Sequence, residues 1–170
     1  MTGLEFLICT SALASIVAQD STNHTPEYHH AVARNVCAAA NVEAFDPMTL
    51  AALIMGENGK FEVNATMPAS AGVDQGLCQL NSAHQRDRLH GKNAYHPYDC
   101  TRIAASILRS FQDKYGPSWI VISSYWNPSQ ALRQTNDAKA YYNRWAVNYR
   151  RVQARFSQAR NSFSPTSGSP

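Results

Sequence analysis

Residues 51–59 read Ala-Ala-Leu-Ile-Met-Gly-Glu-Asn-Gly, and the fold and the chemistry both turn on how this stretch is read. Just upstream, Asp46 stands where a helix N-cap belongs. Pro47 takes the first helical position, where a missing N–H costs nothing. Leu50, Leu53 and Ile54 then share one face at helical spacing. Glu57 follows four residues after Leu53 and three after Ile54, so it falls on that same inward face, and Gly59 stops the helix. A carboxyl thus stands where an apolar residue would continue the stripe. Burial disfavours the ionised form and raises a carboxyl's pKa. An acid still protonated near neutral pH is what cleavage of a glycosidic bond requires. The competing reading is a buried Glu satisfied by an Arg or Tyr partner, because structural networks perturb carboxyls too.

Working outward, the pattern is mainly α. Upstream, Thr25-Pro26-Glu27 opens a helix whose apolar face runs Tyr28, Val32, Val36, Ala39. Residues 60–75 lack a helical period and carry Asn64, Pro68 and Gly72, which predicts an irregular loop or small β-hairpin; a loop this long in a compact domain is often functional. Helical character resumes over 76–90, with Gly91 as its stop. Asp99 caps a strong helix over 99–115, with Ile103, Ile107, Phe111 and Tyr115 at steps of four, ended by Gly116-Pro117. Ser118 opens a short apolar helix that Asn127-Pro128 breaks. A last helix runs from Asp137 to about Phe156 with the stripe Tyr142, Trp145, Tyr149, Val152, Phe156. Trp119 and Trp145 fit the core, since aromatics at helical spacing usually pack inside. The division expected is an N-terminal apolar helix and linker over 1–25, one domain over 26–156, and a Ser/Pro/Gly-rich disordered tail over 157–170.

Four segments, in order, carry a resemblance. Residues 51–59 are the first. Gly76-Leu77-Cys78-Gln79-Leu80 is the second, the run from Tyr98 to Leu108 the third, and Ser123-Ser124-Tyr125-Trp126-Asn127 the fourth. Together the chain resembles the lytic transglycosylase and goose-type lysozyme families over roughly residues 47–150. Those families share a helix ending in Glu-Ser, a Gly-Leu-Met-Gln motif, an Ala-Tyr-Asn motif and a late Tyr. Here Asn58 replaces Ser, Cys78 replaces Met, Trp126 enters the third family motif, and Pro128-Ser129 stands where Ala-Gly is usual. The Asp99-Cys100 pair is also similar to the muralytic subunits of type IV secretion machines.

The resemblance implies a lysozyme-like fold and a peptidoglycan-cleaving enzyme. It implies that Glu57 protonates the oxygen between N-acetylmuramic acid and N-acetylglucosamine, then takes a proton from the C6 hydroxyl as an anhydro ring closes. A hydrolytic version would need a second carboxylate to activate water; Glu62 and Asp74 are the nearby candidates, although the favoured reading of both is as solvated loop charges. Gln79 would bond the sugar or hold its loop. Tyr125 would donate to Glu57 or serve as a core aromatic. Asn58 and Asn127 would support the site or touch the substrate, Asn127 at an acetamido group. Tyr142 belongs to the packing stripe, with its hydroxyl able to reach the site. Trp126 would stack on a sugar face.

Composition limits the rest. The chain has 170 residues, 44% of them apolar and only 16% charged, with net charge +3. This excludes disordered and collagen-like chains, and no apolar run reaches the roughly 18 residues of a membrane span. Four scattered cysteines without a CxxC predict free buried thiols, with a single disulfide, such as Cys78 to Cys100, as the alternative. No HExxH or similar ligand spacing occurs among the six histidines, so neither metal nor other cofactor is expected. Residues 6–18 could form a secretory h-region, but Glu5 stands where a positive n-region belongs, which favours an uncleaved helix. An uncleaved terminus suits a phage virion enzyme acting in genome entry; a cleaved one suits the periplasm and a secretion machine. In the virion setting the apolar N-terminal helix and the basic C-terminal region would dock on partner proteins, and the same fold kept without activity is a further alternative. Residues 131–170 carry net charge +6 and the first 130 carry −3. Arg144, Arg150, Arg151, Arg155 and Arg160 make the last helix basic, but no nucleic-acid motif accompanies them, so a nucleic-acid partner is not expected.

Overall fold

The computed structural model describes residues 1–163. Eight helices and three short strands follow in the order α1 (Gly3–Asp20), α2 (Pro26–Val42), α3 (Pro47–Glu57), β1 (Thr66–Pro68), β2 (Val73–Gln75), β3 (Leu80–Asn81), α4 (Arg86–Leu89), α5 (Pro97–Tyr115), α6 (Trp119–Trp126), α7 (Pro128–Leu132) and α8 (Asn136–Phe163). The fold is mainly helical with one small antiparallel sheet, a lysozyme-like arrangement.

The starts of these helices are chemical. Asp46 accepts from the amides of Met48 at 3.2 Å and Thr49 at 3.0 Å, and Pro47 follows it, so two of α3's unpaired amides are satisfied at once. Thr25 caps α2 through the amide of Tyr28. Thr2 and Glu5 form a reciprocal capping box on α1. Once started, α3 is buried through its middle: Leu50, Ala51, Ala52, Leu53, Ile54 and Met55 are all in the core. It lies against α8, α2 and α5. A helix enclosed this way must deliver its last residue, Glu57, to the inside of the molecule or to a cleft in it.

The segment after α3 is more structured than a loop. β1 and β2 pair antiparallel with Thr66 opposite Gln75 and Pro68 opposite Val73; β3 adds to β2 with Asp74 opposite Asn81. The expected hairpin is present and gains a third strand. The expected helix over 76–90 is not: residues 76–79 turn, residues 80–81 pair with β2, and only Arg86–Leu89 is helical. Gly76 explains the break. Its φ is +70°, and a Cβ there would stand 2.0 Å from the carbonyl oxygen of Ala94. The backbone is bent back against residue 94, and with Gln79 also at positive φ, +47°, residues 76–79 form a turn instead of the first turn of a helix.

Other differences trace to packing beyond the local pattern. α8 continues through Phe163, past the expected end near Phe156, because Ala159 packs with Ile8 and Ala12 of α1. Residues 157–163 are therefore helical rather than part of a tail; residues 164–170 of that expected tail lie outside the described residues. α5 begins at Pro97, and Asp99 sits in its first turn accepting the amide of Asn93 at 3.1 Å. α1 is long and apolar enough to span a membrane by length and composition, which the count of unbroken apolar runs misses. Its Cys9, Leu13, Ile16 and Val17 are in the main core, so α1 shares that core instead of standing apart. The cysteine reading also changes. Cys9 and Cys37 form a disulfide between α1 and α2, while Cys78 and Cys100 are buried thiols. Side-by-side packing of the two helices brings together cysteines 28 residues apart in sequence, which spacing alone does not reveal.

Gly76→Ala should lower unfolding free energy by at least about 2 kcal/mol, because it adds both a clash and a left-handed non-glycine residue. Denaturant unfolding monitored by circular dichroism reads this directly.

Candidate active site

A cleft of about 680 Å³ opens beside the end of α3, lined by Glu57, Asp74, Gln79, Ser124, Tyr125, Trp126 and Asn127 among others. Three parts of the chain build it. α3 brings Glu57, the sheet and the turn after it bring Asp74 and Gln79, and the end of α6 brings residues 124–127.

Glu57 is partly buried, with the rest of its surface on the cleft. Loss of water pushes its pKa up from 4.5 to about 7. The Tyr141 hydroxyl donates a hydrogen bond to its Oε1, and that bond, like the charge of Arg144, pulls the other way; the negative charge of Asp74 adds to the rise. Desolvation is the largest effect and decides the outcome. At neutral pH a substantial fraction of Glu57 therefore carries its proton, facing a space that can hold a ligand.

Tyr141 is the partner that the sequence reading misses. The stripe on α8 pointed to Tyr142, but Tyr142 is a packing residue, its ring 5.5 Å from Trp145 and 6.3 Å from Trp119. No sequence period marks Tyr141; the structure buries it together with Ala138, three residues earlier on α8. The Ser123 hydroxyl donates to the carbonyl of Ala138 at 2.8 Å, fixing this end of α8 against α6. Trp126 stacks on Tyr141 at 5.9 Å with planes 15° apart and is 43% exposed, so one indole face and edge remain available at the cleft. Arg144 lies over the Tyr141 ring, 5.7 Å from its centroid.

The remaining residues separate into those at the cleft and those behind it. Tyr125 lines the cleft, but its hydroxyl donates to the carbonyl of Cys78 at 2.8 Å rather than to Glu57. Gln79 lines it too, its Nε2 bonded to the Gly76 carbonyl at 2.7 Å and its buried Oε1 without a protein partner. Asn127 ends α6 and caps α7 by accepting the amide of Gln130 at 3.1 Å. Asn58 is buried behind the cleft, where its side chain bonds the carbonyl and amide of Glu62, at 2.7 and 3.1 Å, and so closes the turn after α3. Glu62 pairs with His24 at 3.0 Å and does not line the cleft. Asp74 does, held by the Asn81 amide at 2.8 Å. Of the two proposed second carboxylates, only Asp74 shares a space with Glu57. His84, Gln85, Ile107 and Phe111 extend the cleft lining; no sequence motif marks them, because they come from two separate parts of the chain that meet only at the cleft. Among the described residues no cluster of three or more His, Cys, Asp or Glu could hold a metal ion.

A partly buried acid in a polar, aromatic-edged cleft of a mainly helical lysozyme-like fold is an arrangement that suits chemistry on glycans. The match of residues 34–148 to the model of the transglycosylase SLT domain makes that specific: the chain belongs to this family, whose members are lytic transglycosylases that cleave peptidoglycan. No curated protein and no solved structure matches the chain.

Two measurements test the geometry. Tyr141→Phe removes a hydrogen bond that favours the charged carboxylate, so the alkaline limb of the pH–activity profile should move up by about one unit and turnover should fall about tenfold; Tyr142→Phe should leave that limb in place. Stability should carry the same mark. A carboxyl whose folded pKa is raised contributes fully below its unfolded value near 4.5, and that contribution is lost as pH rises through 7. Glu57→Gln should therefore gain stability relative to the parent as pH rises from 5 to 8, by up to about 3 kcal/mol, read from urea unfolding across pH.

Proposed function

We propose that Glu57 is the catalytic acid and then base of a lytic transglycosylase that cuts the bond between N-acetylmuramic acid and N-acetylglucosamine. What carries the reading is a carboxyl raised to about 7 by burial, on the wall of the cleft. Protonated, Glu57 donates to the glycosidic oxygen as the bond breaks and the sugar ring becomes oxocarbenium-like. The carboxylate so formed takes the proton of the muramic acid C6 hydroxyl, and that oxygen closes on C1 to give the anhydro product. The proton count closes on one residue, and neither water nor a second carboxylate is consumed.

The rest of the cleft has supporting roles in this proposal. The Tyr141 hydrogen bond orients the carboxyl and steadies it while ionised. Trp126 offers an aromatic face to a pyranose. Gln79 and Asn127 offer amides to hydroxyl and acetamido groups. A hydrolytic reading retains one specific support, Asp74 in the same cleft, whose carboxylate would have to activate a water.

Wall material lies outside the cytoplasm, so the proposed setting is a virion or the bacterial envelope. The disulfide to α2, the buried face of α1 and the ion pair of Arg151 with Asp20 at 2.6 Å favour α1 being retained in the working enzyme, which suits a virion enzyme opening the wall for genome entry. N-terminal sequencing of the protein from its native source tests retention: a start near Asp20 would favour export through a secretion machine instead.

The decisive experiment on the reaction is mass analysis of muropeptides after digestion of purified peptidoglycan. Anhydro ends are expected, with Glu57→Gln lowering their rate by at least about 10³-fold. Reducing ends would establish the hydrolytic reading. No release by the unmutated protein would leave the fold as a docking module.

A further inference from the structure

Cys78 and Cys100 take no part in the chemistry above, yet they occupy a distinctive place. Both are fully buried, and their sulfur atoms stand 2.9 Å apart. Cys78 belongs to the turn that carries Gln79 into the cleft, and its carbonyl accepts the Tyr125 hydroxyl. Cys100 sits in the first turns of α5. Between them, before α5 begins at Pro97, the chain contains only the two residues of β3 and the single turn of α4 as regular structure.

We propose that Cys78 and Cys100 are joined as a second disulfide during oxidative folding, pinning the Gln79-bearing wall of the cleft to α5. Three observations support it. The sulfurs are already closer than non-bonded sulfur atoms approach. The chain carries a first disulfide, Cys9 to Cys37, and disulfides form and persist only where the surroundings are oxidising. The turn itself needs an anchor, because Gly76 and Gln79 both have positive φ, at 70° and 47°, and a non-glycine residue held there costs free energy unless its surroundings impose it.

The chemistry balances with a small or protein disulfide as oxidant, such as glutathione disulfide. One cysteine thiolate attacks the oxidant's disulfide and displaces one thiolate. The second cysteine attacks the mixed disulfide and displaces the other. The two protons from the cysteines end on the two thiols released; the protein pair is oxidised and the oxidant reduced. Burial holds the Cys78 thiol well above its ordinary range and shields it from reagents. The exchange therefore belongs to the folding chain, before the pair is buried. Once made, the bond is shielded in the same way from reduction, so it acts as a permanent cross-link rather than a switch. This inference holds whether or not Glu57 is the catalytic acid.

The test uses the full chain, folded in a glutathione redox buffer, then unfolded in guanidinium with N-ethylmaleimide and no reductant, digested and mapped by mass spectrometry. A Cys78–Cys100 linked peptide with no label on either residue is expected. Label on both, with Cys9 linked to Cys37, would overturn the proposal, as would either residue linked to Cys9 or Cys37. A second measurement isolates the effect: in a Cys9→Ala, Cys37→Ala background, adding a phosphine reductant during thermal unfolding should lower the midpoint on the order of 10 °C. An unchanged midpoint there would count against the bond.

Discussion

The hydrogen bond from Tyr141 to Glu57 joins the two helices that define the interior, α3 and α8, at the point where the interior meets the cleft. A carboxyl at the end of a helix whose middle is buried in the core loses much of its water, and the loss raises its pKa more than Tyr141 and Arg144 lower it. The fold accommodates this because the carboxyl can stay protonated. A group satisfied in its neutral form by one donor and an open cleft is tolerable; the same group held ionised in that place would cost several kcal/mol. The acid is thus a direct product of the helix packing, and the neighbours tune it.

Around that point the cleft is mostly neutral. Amides, hydroxyls and an indole line it, with Asp74 the other carboxylate on its wall. The low charge content of the chain is consistent with a surface meant for sugars, and the excess of positive over negative charge is concentrated on α8. Part of that charge has structural work. Arg151 pairs with Asp20 and bonds Gln19, so one basic residue of α8 serves to hold α1 in place.

What could be read from the sequence divides along the range of the interaction. Asp46, Pro47 and the Leu50–Leu53–Ile54 face act within one or two turns, so α3 and the inward position of Glu57 were legible. So were α2, α5 and the break after Trp126. Tyr141 was not, because the period of α8 marks which residues pack and cannot tell which of two adjacent tyrosines meets a helix 84 residues upstream. The region 76–91 misled for a similar reason: its composition permits a helix, and the close approach of residue 94 to Gly76 forbids one. Glu62 and Asp74 look alike in sequence, and only the sheet register, which sets Asp74 opposite Asn81 and toward the cleft, separates them. The Cys9–Cys37 bond depends on helix adjacency and left no local trace.

The most direct test of the account is the ionisation of Glu57 itself. Carbon-13 NMR of the glutamate side-chain carboxyls across pH 3 to 9, with the Glu57 resonance assigned by its disappearance in Glu57→Gln, reads that group alone. A midpoint near 7 is the predicted result. A midpoint near 4.5, the ordinary glutamate value, would mean that the carboxyl is hydrated and charged at neutral pH, and the account of a buried proton donor would fail.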